Sequence, residues 1–149
     1  HVMAVDSVRA AYHIPVYAAE AEKETMHDAS INLSINMGGA MLSIEADHWL
    51  KDGETITLLD QEVRCILTPG HTVGGMCFYF PKAGMLFSGD TLFQESVGRT
   101  DFPGGSMSEI VRSIREKLFV LPDAVQVYPG HGLMTSIKNE KMFNPFAVE

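Results

Sequence analysis

Apolar residues recur at helical spacing at Val5, Val8, Ala11 and Tyr12, and Pro15 closes the segment, which predicts a short helix over 5–12. Pro15 to Ala18 reads as a short strand, and Ala19 to Met26 as a second helix rich in Glu, Ala and Lys. Residues 28–46 mix Asn, Ser and Gly with scattered apolar positions, so they predict an irregular connection that partly packs. After the pair Trp49–Leu50 the period changes. The turn signal Lys51-Asp52-Gly53-Glu54 opens a run of strands: 55–59 and 62–68 around a turn at Asp60-Gln61, then 76–80 and 85–88 around Pro81-Lys82-Ala83-Gly84. Ser106 to Phe119 is the strongest helix pattern, with Ser106 as cap, Glu109 at the capping-box position, and Ile110, Val111, Ile114, Leu118 and Phe119 in one apolar stripe. Val125 to Tyr128 predicts a last strand and Ile137 to Phe143 a short final helix. Strands partly alternating with helices and partly in meanders imply an α/β or α+β fold with covered sheet faces.

Length changes the picture by limiting it: 149 residues suit one domain, 1–149, and one core. With 46% hydrophobic and 20% charged residues the chain has the composition of a folded globular protein. Eleven basic against nineteen acidic residues give a net charge of −8, a field that repels phosphate backbones and anionic lipid, so neither nucleic acid nor membrane is an expected partner. No apolar stretch approaches the roughly 20 residues of a membrane helix and no leader opens the chain, which makes the expected location cytoplasmic. Cys65 and Cys77 lie in apolar runs without CxxC spacing and read as reduced core thiols, and the nine methionines as fillers of core gaps. His13, His27 and His48 fall in polar connections and read as solvated.

The chemistry lies at three strand ends. Cys65-Ile-Leu-Thr-Pro-Gly-His71, Met85-Leu-Phe-Ser-Gly-Asp90 and Val125-Gln-Val-Tyr-Pro-Gly-His131 share one design, an apolar strand running into a Gly-bearing turn that presents a metal-capable side chain. A glycine at a strand end lets the backbone turn tightly and sets the next side chain at the rim of the sheet. Two imidazoles and a carboxylate suit borderline divalent metals such as zinc, and a carboxylate can bridge two ions. Such a centre lowers the pKa of bound water to near 7 and so yields a hydroxide nucleophile. His71, Asp90 and His131 are therefore expected to converge.

Four ordered motifs also carry a resemblance that covers essentially the whole chain. Thr68-Pro-Gly-His-Thr-Val-Gly-Gly75, Ser88-Gly-Asp-Thr-Leu-Phe93, Gly98-Arg-Thr-Asp-Phe-Pro-Gly-Gly105 and Tyr128-Pro-Gly-His-Gly132 resemble the metallo-β-lactamase-fold hydrolases. Together with Ile137 to Phe146, they are similar to the small glyoxalase II-like (hydroxyacylglutathione hydrolase-like) branch. The resemblance implies an αββα sandwich with a binuclear site at one rim, holding two zinc ions, with iron or manganese as alternatives. It makes His71 a ligand of the first metal, Asp90 the bridging and catalytic carboxylate, and His131 a ligand of the second metal. The family's His-x-His-x-Asp-His motif is absent as a whole. The register of His1 to Asp6 running into 15–18 makes His1 its last histidine and a further ligand of the second metal. The expectation is a domain whose N-terminal strands are missing, together with two histidines of the first metal and the aspartate of the second. Arg99 and Asp101 resemble a family element beside the site and read as an ion pair that fixes their loop.

Three functions compete. The first is a metal-dependent hydrolase of a small thioester or ester, acting through a metal-bound hydroxide, with low or no activity expected of the chain as it stands. The second is a persulfide (sulfur) dioxygenase with a single iron, whose relatives share the Gly98–Phe102 element. The third is a non-catalytic fragment or one half of a complementing pair. An unpaired strand edge and an uncovered apolar sheet face would favour self-association.

Overall fold

Val5–Tyr12 forms a helix (α1), Tyr17–Ala19 a strand (β1), Lys23–His27 a helix (α2) and His48–Leu50 a strand (β2) in the computed structural model, which describes residues 2–36 and 41–147. These belong to the first of two compact units, residues 1–50 and 51–149. β1 and β2 pair in parallel, Tyr17 opposite His48. The strand begins at Tyr17 rather than Pro15 because Val16 is used otherwise: its N–H donates to Asp47 Oδ2 at 2.7 Å, and its carbonyl accepts from Asp47 and His48. Asp47 also takes Arg9 Nη2 at 2.7 Å, fastening α1, and these two bonds hold its carboxyl below the usual carboxylate range. The apolar positions of α1 are not buried; Val8 and Tyr12 are exposed. The second predicted helix is a 3-10 turn over Glu20–Glu22 followed by α2.

In the second unit, β3 (Thr55–Leu58), β4 (Gln61–Leu67), β5 (Met76–Phe80), β6 (Met85–Gly89), β9 (Gln126–Pro129) and β10 (Thr135–Ser136) make one six-stranded sheet in the order β10-β9-β6-β5-β4-β3. The β3–β4 turn sits at Leu59-Asp60, one residue before the predicted place: both residues have positive φ (50° and 59°), and Leu58 pairs directly with Gln61. This is the two-residue turn whose twist matches that of its strands. Between β6 and β9 lie the two-residue strands β7 (Leu92–Phe93) and β8 (Ser96–Val97), which pair as a hairpin, and the helix α3 (Met107–Ser113), continued by a π turn over Ile114–Leu118. The last helix is α4 (Ile137–Phe143).

Residues facing each other across the ladders share a sheet face, which sorts the sheet. Ile66, Cys77, Tyr79, Leu86 and Val127 meet Ile110, Ile114 and Leu118 of the α3 stripe and Ile137 of α4, and most of them are fully buried. Each such aliphatic side chain taken from water contributes about 1.5–3 kcal/mol. The opposite face carries Val63, Cys65, Phe78, Phe80, Phe87 and Tyr128, so the sheet is apolar on both sides. Both cysteines are buried and free, and burial pushes the Cys77 thiol up to about 11.

One direction rule places the site. β4 and β6 both run antiparallel to β5, and β9 runs parallel to β6, so β4, β6 and β9 point the same way. Their C-terminal ends, followed by His71, Asp90 and His131, therefore share one rim of the sheet.

Candidate metal centre

β6 ends irregularly. Its ladder to β9 runs Phe87 to Tyr128 and then Gly89 to Pro129, leaving Ser88 as an extra residue, and Gly89 takes φ 51°. Such a bulge bends a strand and re-aims the side chain after it. Here that side chain is Asp90. Ser88 is buried and holds the bend: its Oγ donates to Leu92 O at 2.8 Å, and its carbonyl accepts from Thr91 N at 3.0 Å. Beneath the rim, Thr68 Oγ1 and Thr91 Oγ1 lie 2.9 Å apart and tie the ends of β4 and β6 together.

The loop after β4 is fastened to α3. Gly70 O accepts from Ser106 N at 2.8 Å and Pro69 O from Ser113 Oγ at 3.0 Å. Ser106 Oγ caps α3 by accepting from Glu109 N at 3.3 Å, as predicted, but the reciprocal arm of the capping box is not made. Its backbone N–H serves Gly70, and Glu109 pairs with Arg112. His71 thus stands on an anchored loop. Its Nδ1 lies 2.7 Å from Arg99 O; a carbonyl only accepts, so Nδ1 carries the proton and Nε2 is directed the other way. Phe102 meets the imidazole edge-on at 5.5 Å.

The three predicted residues converge. His71 Nε2 lies 3.6 Å and His131 Nε2 3.3 Å from the same oxygen, Asp90 Oδ2. The His71 and Asp90 side chains are each 10% exposed and that of His131 is 66% exposed, so the cluster opens on the His131 side. Phe93 meets the His131 ring edge-on at 6.0 Å. Gly130 is required where it stands, because a β-carbon there would collide with Asp90 Oδ1.

The donor set fits divalent metal. Two ligand atoms each about 2.0–2.1 Å from a tetrahedral ion lie about 3.3–3.4 Å from one another, and both histidine-to-carboxylate separations are close to that value. With its proton on Nδ1, His71 directs the Nε2 lone pair toward the carboxylate, a pairing that a cation between them would satisfy. Among the described residues no group of three or more His, Cys, Asp or Glu is arranged so that it could hold a metal ion by itself. What is present is one carboxylate flanked by one histidine on each side. His1, expected as a further ligand, lies outside the described residues.

Arg99 and Asp101 form the expected ion pair, with Nε–Oδ1 and Nη2–Oδ2 both 2.6 Å, and the Arg99 guanidinium lies over the Phe102 ring at 4.3 Å. The pairing holds the Asp101 carboxyl down to about 2. The clamp braces the turn that offers both Arg99 O and Phe102 to His71. His13 and His48 are exposed as expected. His27 is instead half-buried at the end of α2, its Nε2 2.7 Å from Glu45 Oε2 and its ring edge-on to Trp49. Sequence reasoning missed the Arg99 carbonyl, Phe93 and the buried Glu140. Only Glu140 had a residue-type signal, being an acid three residues after Ile137 on the apolar face of α4.

The chain belongs to the metallo-β-lactamase superfamily: the family profile described as "Metallo-beta-lactamase superfamily" matches residues 1–131. At family level this is a superfamily of metal-dependent hydrolases. Over 147 residues the chain is 37% identical to "Probable metallo-hydrolase YqgX" of Bacillus subtilis, covering 98% of the chain and 70% of that protein. Over 101 residues it is 41% identical to "Hydroxyacylglutathione hydrolase GloC" of Haemophilus influenzae, covering 67% and 48%. The chain spans 65 to 71% of the length of the first three curated relatives it matches. Among solved structures, BLEG-1 B3 metallo-beta-lactamase superposes with a TM-score of 0.91 at 38% identity over all of the chain and 72% of that protein. TTHA1623 in a di-iron-bound form gives 0.82 at 32%, covering 98% and 71%. ETHE1 from Myxococcus xanthus gives 0.77 at 28%, covering 99% and 58%. The expected fold, an α/β member of this superfamily, is the one observed. Among the described residues no helix is long and apolar enough to cross a membrane.

Proposed function

We propose that this fold serves a metal-dependent hydrolase of small thioesters or esters, in which His71, Asp90 and His131 would hold the metal. The observation that carries it is the one carboxylate oxygen placed 3.6 and 3.3 Å from two imidazole nitrogens at the end of three co-directed strands. The name of the relative GloC supports the thioester class. Zinc suits two imidazoles and a carboxylate, and the di-iron form of TTHA1623 supports iron as the alternative. When bound, such ions lower the pKa of water and stabilise the oxyanion formed at an attacked carbonyl. The protein's own part is positioning. The Nδ1–H bond to Arg99 O aims His71 Nε2 at the centre, the bulge at Ser88 aims Asp90, and the exposed His131 leaves the open side by which a substrate carbonyl reaches the rim.

A second reading, a mononuclear-iron persulfide dioxygenase, is favoured by the ETHE1 neighbour and by the Gly98–Phe102 element. Metal analysis with a thioester panel separates the two. Anaerobic thioester hydrolysis supports the hydrolase; oxygen uptake with a persulfide, in protein carrying one iron, replaces it with the dioxygenase.

A further inference from the structure

Glu140 lies on the inner side of α4 with no exposure to solvent. A buried carboxyl group is costly unless its oxygens are hydrogen-bonded, and here both are. Oε1 accepts from Thr135 Oγ1 at 2.5 Å and Asn139 Nδ2 at 2.9 Å; Oε2 accepts from Glu95 N at 2.8 Å and Asn144 Nδ2 at 2.9 Å. Asn144 Nδ2 donates further to Ser96 O at 3.0 Å. The four donors come from β10, from the turn of the β7–β8 hairpin, and from α4 with the residue that caps its C-terminus. One helix would not need so wide a set of partners merely to close its own end.

What these partners share is His131. The segment 130–134 that carries it is held at its start by Gly130 N donating to Gly89 O at 2.8 Å, and at its finish by Thr135, the first residue of β10. The ring itself, mostly exposed, meets Phe93 of β7. Glu140 grips both the Thr135 end of this segment and the hairpin that presents Phe93. We infer that Glu140 is a positioning residue for His131, fixing through Thr135 and the β7–β8 hairpin where the imidazole stands relative to Asp90 Oδ2. This rests on the reading of His131 as a metal ligand. A group hydrogen-bonded directly to a metal ligand typically changes affinity by about 10- to 100-fold when removed, and Glu140, which acts on His131 through Thr135 and the hairpin, should act at or below the lower end of that range.

The test uses Thr135→Val, which keeps the side-chain volume and removes one donor, Thr135→Ser, which restores it, and Glu140→Gln. Two readouts are taken: the imidazole Cε1–H resonances of His71 and His131 in the metal-free protein, and zinc affinity by calorimetry. Thr135→Val and Glu140→Gln are expected to unfold cooperatively, to shift or broaden the His131 resonance while that of His71 stays in place, and to weaken zinc binding by up to about tenfold. Thr135→Ser is expected to match the wild type. If Thr135→Val folds and leaves the His131 resonance unmoved, or moves both histidines alike, Glu140 is only a structural knot and the inference falls. Should Glu140→Gln fail to fold, Thr135→Val decides alone. His131→Ala is the control on the underlying reading: zinc affinity unchanged in that variant removes His131 from the ligand set, even where Thr135→Val shifts its resonance.

Discussion

Asp90 Oδ2 is the atom on which the site turns, because both histidine nitrogens lie against it. Replacing Asp90 with Ala removes the shared oxygen from both positions at once, so zinc binding is expected to vanish rather than weaken. Calorimetric titration of the Asp90→Ala variant checks this, and binding that survives would show that the two histidines belong to separate features. A second residue-scale expectation concerns Asp101. Its hydrogen bonds from the Arg99 guanidinium bring the carboxyl from 3.8 down to about 2. A folded-state value below the unfolded one means that the contribution to stability is present above the unfolded value and is lost as pH falls through the folded one. The clamp over Phe102 should thus hold from neutral pH down to about 4 and open only on approach to 2. A carboxyl titration followed by NMR should place the Asp101 midpoint near 2; a midpoint at the ordinary value would mean that Arg99 does not hold it in solution.

Elements reach the site through their ends. α3 is the main anchor of the His71 loop, and its first turn depends on the bond from Glu109 N to Ser106 Oγ. Ser106→Ala should cost about 1 kcal/mol, read as a lower urea midpoint with an unchanged slope. No loss would show that the bond to Gly70 O, which the backbone N–H keeps, secures the turn alone. What could be read in advance follows from the same scale. α1, β5, β6, α3 and α4 run five residues or more, long enough for a hydrophobic period to show, and the sequence pattern places them closely. β2, β7, β8 and β10 have two or three residues each, and so short a strand has no period to detect. The π turn over 114–118 keeps the apolar stripe of the α-helix and leaves no trace in it, and Leu59 gives no signal of positive φ. At the site, His71, Asp90 and His131 were legible because each follows a strand and a glycine. The groups that aim them were not, since a backbone carbonyl and a ring edge belong to no residue type in particular.

The sheet as a whole is apolar on two faces, and only one of them meets α3 and α4. On the other, Phe78 stands opposite Phe87 and Phe87 opposite Tyr128, with Phe80 and Phe87 edge-on at 5.6 Å and Phe87 stacked on Tyr128 at 5.4 Å. Phe87 is nevertheless 43% exposed, and Leu59, at the tip of the β3–β4 turn on the edge of the sheet, is 89% exposed. Contiguous aromatic surface beside a strand edge favours association, and a net charge of −8 on each copy opposes it. The two effects respond differently to salt: the charge repulsion is screened, with a Debye length of about 10 Å at 0.1 M and about 3 Å at 1 M, while the burial of apolar surface is not. Self-association is therefore expected to rise with protein concentration and with added salt, as followed by sedimentation velocity. Phe87→Asp places a charge at the centre of the aromatic ladder and should return the protein to monomer at the same concentration. Its zinc affinity should stay unchanged, because Phe87 precedes the bulge and points away from Leu86 and the helices. A wild-type chain that stays monomeric in high salt, or a Phe87→Asp variant that associates equally well, would show that this face is not the one that drives association.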